Sequence, residues 1–170
     1  MYLLPTFLNY HSDHCAKFNF EFSKFKVLID FAHNPTSYRG IEDFLGSVDA
    51  TRKIGIISGV GDRRDEDIKE CAVIAARMFD HVIIRQEKHL RGRTEVEIID
   101  LILDGLKEGD PTVTHEVISL EVEAIKHAIS LAEEGTYIVA LSDVIDNAID
   151  IVQSYLDAEI EKDERIEVNA

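Results

Sequence analysis

Cysteine, proline, glycine and tryptophan are scarce in this sequence. Its 170 residues contain two cysteines, three prolines, nine glycines and no tryptophan. Two cysteines, Cys15 and Cys71, are too few for a disulfide framework or for paired CxxC zinc spacing, which indicates a reducing compartment. The scarcity of glycine and proline argues against a flexible linker, so we expect one domain with a sizeable core.

Basic residues and long apolar runs are also in short supply. Lys and Arg total 18 against 33 Asp and Glu, a net charge of −15 that repels phosphate backbones. No apolar run approaches the roughly 20 residues needed to span a bilayer. The start, MYLLPTFLNYH, has no basic region and contains a proline, unlike a signal peptide. We therefore expect a cytoplasmic protein with neither nucleic acid nor membrane as a partner.

Strand-like and helix-like segments alternate along the chain. Short runs rich in Val and Ile predict buried strands, and an alternating Phe segment predicts an edge or antiparallel strand. These strand segments are 17–22, 26–31, 53–60, 81–85, 112–118 and 137–142. We predict an α/β fold: a three-layer αβα Rossmann-like open sheet, mostly parallel, with about six strands and one edge or antiparallel strand.

Apolar stripes at helical spacing lie between the strands. In the third helix, Thr94 and Glu97 predict a capping box. The residues expected to face the core in this helix are Val96, Ile99, Leu103 and Leu106, and in the fourth they are Val122, Ile125, Ile129 and Ala132. We divide the chain into an N-terminal extension (1–16), one domain (17–158) and a frayed acidic tail (159–170).

Polar residues follow the first buried strand, at the edge where open α/β sheets bind ligands. They are Asp30, His33 and Asn34. A carboxylate can accept from ribose hydroxyls, while His and Asn can donate to a phosphate or a base. The alternative is a plain turn, in which Asn-Pro begins a helix that the next hydroxyl residues cap.

A second set follows the next strand, in the segment GVGDRRDED (59–67). Gly59 and Gly61 permit close backbone approach, and Arg63 and Arg64 can bind phosphate. The segment is neither a full GxGxxG fingerprint nor a Walker A loop. The alternative is a helix-entry loop whose acidic residues complement the helix dipole.

A third set follows the strand after that, in RQEKHLRGR (85–93). Lys88, Arg91 and Arg93 form a cationic loop in an acidic protein, which suggests recognition of a carboxylate or phosphate. Glu87 suits a cationic amine instead. The alternative is a solvated loop.

We assign no metal site and no catalytic residue. The segment HSDHC (11–15) matches no common metal spacing. Asp143, Asp146 and Asp150 suit the polar face of a helix. No GxSxG motif occurs, and Cys71 lies in an apolar stripe.

Taken together, VLIDFAHNP, GDRRDED and KHLRGR resemble the C-terminal domain of the Mur ligase family, and their combination is most similar to its cyanophycin synthetase branch. The likeness runs from about Lys17 to near Asp157. It implies a lid that closes over a central ATPase domain, contacts ATP and helps to hold the incoming amino acid. In that chemistry ATP converts a carboxylate into an acyl phosphate, an amine attacks it, and an amide forms as phosphate leaves.

The resemblance also implies roles for individual residues. Those implied to contact ATP or to line the interdomain cleft are Lys17, Asp30, His33, Asn34, Asp62 and Arg63. Those implied to hold the amino acid are Glu87, Lys88, Arg91 and Arg93. Lys17 stands where relatives carry an Arg that reaches ATP, so it keeps the charge but loses the two-pronged geometry.

Two interpretations of the function remain open. The phosphate-binding loop and magnesium ligands of a central domain have no counterpart here, so a ligase domain would be inactive alone. It would need a central ATPase domain, in cis or in trans, to hold Mg²⁺ with ATP, and an amino acid or peptide as substrate. A glycine-lysine-glycine-histidine-glutamate signature is absent, which leaves the substrate class open. The alternative is a stand-alone, non-catalytic module that binds a nucleotide or a protein partner, or forms a homodimer.

Overall fold

The structure, a computed structural model, describes four stretches of the chain: residues 6–7, 18–86, 90–142 and 145–168. Three of the predicted site residues lie outside these stretches, namely Lys17, Glu87 and Lys88. The HSDHC segment lies outside them as well.

Strands and helices alternate through the described residues. The strands are β1 (Thr6–Phe7), β2 (Phe18–Glu21), β3 (Phe25–Asp30), β4 (Arg52–Ile57), β5 (His81–Ile84), β6 (Thr114–Val117) and β7 (Thr136–Leu141). The helices are α1 (Pro35–Gly46), α2 (Asp65–Met78), α3 (Glu95–Gly109), α4 (Glu121–Ser130) and α5 (Ile145–Val168).

The strands form one sheet in the order β1-β2-β3-β7-β4-β5-β6. β1 and β3 both pair with β2 in antiparallel fashion, and all other pairs are parallel. β7 comes last in sequence but lies between β3 and β4. The predicted mostly parallel αβα fold is confirmed, and β2 to β7 correspond to the six predicted strands. β1 was not predicted, because two residues are too few to show a strand period.

The five parallel strands end level with one another. Asp30, the last residue of β3, pairs with Leu141, the last of β7. β7 and β4 run in step up to the penultimate residue of each strand. Ile57, Ile84 and Val117 then form a row that ends β4, β5 and β6. The loops that follow these strands therefore leave the sheet at one shared edge, which we call the carboxyl edge.

Two apolar layers cover the sheet. One face packs against α1, α2 and α3 through side chains such as Leu28 and Val139, and the other packs against α4 and α5 through Ile29 and Ile138. Neighbouring strand residues point to opposite faces, as the two-residue period of a strand requires. All four are at most 1% exposed, so each stabilises the fold by about 1.5–3 kcal/mol through burial.

The buried face of α3 differs from the predicted stripe. Val96 is 65% exposed, whereas Ile98 is fully buried. The cause is the close packing of α3 on α2: a Cβ atom at Gly105 would lie 2.4 Å from the carbonyl oxygen of Lys69, and Gly109 meets α2 in the same way. Because these two glycines must face α2, the helix is rotated away from the face that the large apolar residues predict.

The first turn of α4 shows a similar difference. Val122 is 41% exposed, while Ala124 and Ala128 are buried. The two alanines let α4 approach the sheet closely, and the larger side chain of Val122 is left on the outer side. Ile125 is buried, as predicted.

Residues 159–168, predicted as a frayed tail, continue helix α5 to Val168. The carboxylate of Glu159 accepts hydrogen bonds of 3.0 Å and 2.9 Å from the backbone N–H and the hydroxyl of Ser23 in the β2–β3 turn. Ile160 packs against the α4 and α5 side of the core. None of the helices in the described stretches combines the length and apolarity that crossing a bilayer requires.

Candidate functional site

Asp30 holds the conformation of the loop that follows β3. This side chain is fully buried, and its Oδ1 accepts a 2.7 Å hydrogen bond from the backbone N–H of Ala32. The carbonyl of Asp30 accepts from the N–H of Ser142 at the end of β7. Direct contact of this carboxylate with ATP, as the resemblance implied, is not available in this structure. Asp30 shapes the loop because its burial leaves it only intramolecular partners.

His33 lies on the rim of the same loop. A carbonyl can only accept, so Nδ1 of His33 donates to the carbonyl of Phe31 at 2.8 Å. In a neutral imidazole this leaves Nε2 as an acceptor. Phe31 is 38% exposed and meets the imidazole edge-on, with ring centroids 4.8 Å apart. The loop thus presents an aromatic pair with one imidazole nitrogen available to a ligand.

Asn34 is the N-cap of α1. Its side-chain oxygen accepts from the N–H of Ser37 at 3.0 Å, and the Ser37 hydroxyl accepts from the N–H of Asn34 at 3.2 Å. This is the reciprocal capping arrangement, with Pro35 in the first turn. Asn-Pro therefore begins the helix, as the turn interpretation predicted, but the cap is Asn34 rather than the hydroxyl residues after it. The side-chain NH₂ of Asn34 is the part that remains for a ligand.

The β4–α2 loop (58–64) carries the exposed residues Asp62 and Arg63. Arg64 is engaged, since its guanidinium donates 2.9 Å and 2.7 Å hydrogen bonds to the carboxylate of Asp67. These bonds hold the pKa of Asp67 below its ordinary value. Gly59 is required by packing, because a Cβ atom there would lie 2.4 Å from Cγ2 of Ile98. The close approach that we predicted for a ligand is made by this isoleucine.

The β5–α3 loop (85–94) turns sharply at Arg91. Its φ is 51°, that of Gly92 is 92°, and the N–H of Arg93 bonds to the carbonyl of Leu90 at 2.9 Å. Positive φ at both central residues is the pattern of a type I′ turn. A side chain with a Cβ seldom adopts this conformation, so the exposed Arg91 is held there by the surrounding turn.

Arg93 binds the neighbouring loop. Its Nε donates to the carbonyl of Gly61 and its Nη2 to that of Arg63, each at 3.0 Å. Nη1 lies 2.6 Å from the carboxylate of Asp65. The guanidinium that the resemblance implied for the amino-acid substrate is therefore occupied within this chain.

Gln86 makes a second connection between these loops, and no sequence motif predicted it. Its side-chain oxygen accepts from the N–H of Gly59 and its side-chain nitrogen donates to the carbonyl of Gly59, both at 2.9 Å. Gln86 is 1% exposed. The only signal in the sequence was a polar residue just beyond a buried strand.

Buried charges lie beneath the same edge. Arg85 and Glu121 are 2% and 3% exposed, and Nη2 of Arg85 lies 3.4 Å from Oε1 of Glu121. The hydroxyl of Ser142 donates to the same carboxylate. Arg85 follows β5, Glu121 begins α4 and Ser142 follows β7, so this cluster ties three parts of the edge together.

No group of three or more metal-ligating side chains occurs within the stretches that the structure describes. Burial raises the pKa of the Cys71 thiol to about 12. A thiol that stays protonated is a poor nucleophile. Within the described residues, the carboxyl edge thus offers an imidazole acceptor together with amide and guanidinium donors, and these groups suit ligand binding.

Comparison with known proteins assigns the chain to a family. The family model described as Mur ligase, glutamate ligase domain matches residues 19–144. The chain belongs to this Mur ligase C-terminal family.

Relatives of this Mur ligase C-terminal domain are longer proteins. Cyanophycin synthetases of Synechocystis sp. and Geminocystis herdmanii are each 35% identical to it, over 79% and 80% of this chain. A UDP-N-acetylmuramoyl-L-alanyl-D-glutamate–2,6-diaminopimelate ligase of Aquifex aeolicus is 32% identical over 69% of this chain. The chain spans 15% of the length of those two synthetases and 24% of that Mur ligase.

Solved structures share the fold of this Mur ligase C-terminal domain. A UDP-N-acetylmuramoyl-L-alanyl-D-glutamate–2,6-diaminopimelate ligase superposes with a TM-score of 0.60 at 19% identity, covering 73% of this chain and 25% of that chain. E. coli FolC in complex with ADP superposes with a TM-score of 0.59 at 16% identity, covering 76% of this chain and 29% of that chain. At these identities the likeness concerns the fold alone.

Proposed function

We propose that this chain is the lid domain of an ATP-dependent, amide-bond-forming ligase resembling cyanophycin synthetase. In this role it contacts ATP and the incoming amino acid and is not catalytic alone. The observation that carries the proposal is the level carboxyl edge, where the loops after β3, β4 and β5 bring their exposed donors together. One strand, β7, separates β3 from β4, so their ends lie about 10 Å apart, within reach of one nucleotide.

The part of the carboxyl edge that we assign to ATP lies at the ends of β3 and β4. The proposed contacts are the free ring nitrogen of His33, the side-chain NH₂ of Asn34, and Arg63 with its neighbour Asp62. Lys17, which lies outside the described residues, is included as a further cation on the resemblance alone. Asp30 supports these contacts through the loop that it braces.

The residues present fit a phosphate better at α1 than at the other described helices. α2 begins with Asp65, Glu66 and Asp67, whose charges already occupy the positive end of the helix dipole. α3, α4 and α5 also have acidic residues in the first turn, whereas α1 has none. An anion at the start of α1 would meet the side-chain NH₂ of Asn34 and no acidic residue in the first turn of the helix.

The amino-acid side lies at the end of β5. Arg91 is exposed in its turn and carries no hydrogen bond or ion pair within the described residues, so it is available for a carboxylate. Lys88 and Glu87 complete the proposed set from sequence, the latter for a cationic side chain such as a guanidinium. Arg93 contributes indirectly to the site, through its hydrogen bonds to the β4–α2 loop.

The contribution of this chain is to bind and orient ATP and the amino acid and to exclude water from them. When bound, ATP supplies the phosphoryl group that activates a carboxylate as an acyl phosphate. Closure of the rim over that hydrolysable group shields it from water while the amine is held in place. The phosphate-binding loop and the Mg²⁺ ligands belong, in this proposal, to a central ATPase domain supplied in cis or in trans.

Calorimetric titration of ATP and ADP into the 170-residue chain tests the proposal. We expect weak binding, and at least about tenfold weaker binding for Arg63→Ala, because a charge-assisted phosphate contact is lost. Arg77→Ala is the matched control, since Arg77 lies in the last turn of α2 and pairs with Glu42. The control should bind like the parent chain.

Addition of a central ATPase domain provides the second arm. Amide formation should appear only with both parts present. Absence of nucleotide binding together with absence of activity in the mixture would refute the ligase role and leave the module interpretation.

A further inference from the structure

Besides the buried Arg85, four arginines lie at the carboxyl edge, and the structure divides these four into two kinds. Arg64 and Arg93 are engaged with groups of their own chain. Arg63 and Arg91 are exposed, and their guanidinium groups make no hydrogen bond or ion pair within the described residues. Charge in the sequence cannot distinguish these kinds, because all four are equally cationic. The partners of Arg93 give it a different task from that of Arg91.

The contacts of Arg93 are those of a brace. Three guanidinium nitrogens point at three separate groups of one loop: the carbonyls of Gly61 and Arg63, and the carboxylate of Asp65. The planar guanidinium can direct separate N–H donors at all three groups, whereas the ammonium of a lysine is a single compact charge that cannot reach them together. Carbonyls of an exposed loop otherwise turn to water, so the three contacts fix both the direction and the spacing of the loop.

Gln86 holds the other end of the same loop. Its side chain bonds to both the N–H and the C=O of Gly59, which is the pairing that a neighbouring strand would make. Gln86 contacts residue 59, and Arg93 contacts residues 61, 63 and 65. The β4–α2 loop is therefore held at both ends. Both clamps belong to the β5–α3 loop.

We propose that Gln86 and Arg93 are positioning residues that join the β4–α2 and β5–α3 loops into one unit, and that the substrate carboxylate is met by Arg91 rather than Arg93. The proposal rests on the proposed ligase function for the identity of the substrate, but the clamp itself does not. Its consequence is that the loop offering Arg63 to the nucleotide and the loop offering Arg91 to the amino acid are ordered together.

Amide hydrogen exchange of the 170-residue chain tests the clamp without any ligand. Arg93→Met should speed the exchange of the backbone amides of residues 60–64 by about tenfold or more, because charge-assisted hydrogen bonds that order the loop are lost. Amides in β4 and β5 should exchange at their former rates. Arg91→Met, in the same turn, is the matched control and should change residues 60–64 by less than about twofold.

Two further variants separate a clamp from a general loss of folding. Gln86→Met keeps the size of the side chain and should loosen the amides at 59–61 more than those at 63–64. Arg93→Lys should give an intermediate rate at 60–64, since one of the three contacts can persist. This variant decides the question if Arg93→Met does not fold. Unchanged exchange at 60–64 in both Arg93 variants, or an equal increase in Arg91→Met, would overturn the clamp.

Kinetics of the ligase reconstituted with a central ATPase domain test the assignment of Arg91. Arg91→Met should raise KM for the amino acid about tenfold or more and leave KM for ATP within about twofold. Arg93→Met should raise KM for ATP, because the loop that offers Arg63 is loosened. A rise confined to the amino-acid KM in Arg93→Met would overturn the assignment. Loss of all activity in the parent mixture would count against the ligase function, while the exchange result would still decide the clamp.

Discussion

The two edges of the sheet are built from the same strands but treat polar groups differently. At the amino edge, where the strands begin, the carboxylate of Asp80 accepts from the N–H of Lys53, and the hydroxyl of Thr51 donates to the carbonyl of Glu134. The buried imidazole of His81 pairs with the side chains of Thr114 and Glu116. At the carboxyl edge, Arg85 and Glu121 are charged and buried. Burying a charge pair costs desolvation that surface pairs avoid. The chain thus retains its costly buried charges at the carboxyl edge, which is the edge to which we assign function.

The largest effect should come from breaking the buried pair. Glu121→Gln keeps the shape of the side chain but removes the charge beside Arg85. We expect a loss of about 3 kcal/mol in the free energy of unfolding, since removing one partner of a buried ion pair is strongly destabilising. Urea denaturation measures it.

Glu123→Gln is the control for this substitution, because it lies on the same helix and its charge pairs with Lys126 at the surface. It should change stability by less than about 0.5 kcal/mol. Equal effects of the two substitutions would remove the distinction between the edges.

A smaller loss is expected from the tightest turn of the amino edge. Gly135 has a φ of 79°, and a Cβ atom there would lie 2.8 Å from Cγ2 of Thr51. Gly135→Ala should therefore cost about 1–3 kcal/mol, from left-handed strain and crowding together. Gly40→Ala in α1 is the control, because open space surrounds it, and it should stabilise the chain by about 0.5–1 kcal/mol.

If Gly135→Ala cost as little as a surface substitution, the amino edge would be more adaptable than its contacts indicate. Differential scanning calorimetry on both variants makes the comparison at one protein concentration.

Glu116, whose carboxylate bonds to His81 at the start of β5, allows this part of the sheet to be tested by pH. Burial raises the pKa of Glu116, but hydrogen bonds from Nε2 of His81 and of His127, at 2.9 Å and 2.8 Å, outweigh it and hold that pKa below its ordinary value. A carboxyl whose pKa is lowered by folding stabilises the fold above its unfolded pKa and loses that contribution as the pH falls through the folded pKa. The loss attributable to Glu116 should thus begin below about pH 4.5.

Glu116→Gln should lower stability by about 1 kcal/mol at neutral pH and flatten the decline below about pH 4.5. Urea midpoints measured from pH 3 to pH 7 give the comparison. A parallel decline in the two proteins would show that other carboxylates dominate acid unfolding.

How far the sequence predicts this molecule differs between fold and site. Val and Ile runs were enough to find β3, β4, β5 and β7, because a strand buried on both faces tolerates little else. The capping box at Thr94 was predicted because its two partners are adjacent in sequence, and the structure confirms it. The rotation of α3 was missed, since it depends on glycines that meet a different helix.

The site shows the same limit more strongly. The positions of His33 and Arg63 at one edge follow from the parallel direction of the strands, which the alternation of strands and helices predicts. The burial of Asp30 and the engagement of Arg93 do not follow, because both depend on contacts between loops distant in sequence. Residue type gives the chemistry that a side chain can perform, and only the fold determines which partner has already used it.

The smallest effect on stability, and the most informative for function, is expected at His33. Its imidazole is half-buried and makes one local hydrogen bond, to the carbonyl of Phe31, so His33→Ala should cost less than about 0.5 kcal/mol. In the ligase reconstituted with a central ATPase domain, the same change should lower kcat/KM for ATP by about tenfold, as expected for one lost contact to a bound nucleotide. Asn34→Ala should reverse this balance, costing about 1 kcal/mol through the lost N-cap. Unchanged turnover in His33→Ala would remove His33 from the nucleotide contacts, and the carboxyl edge would then differ from the amino edge in its buried charges alone.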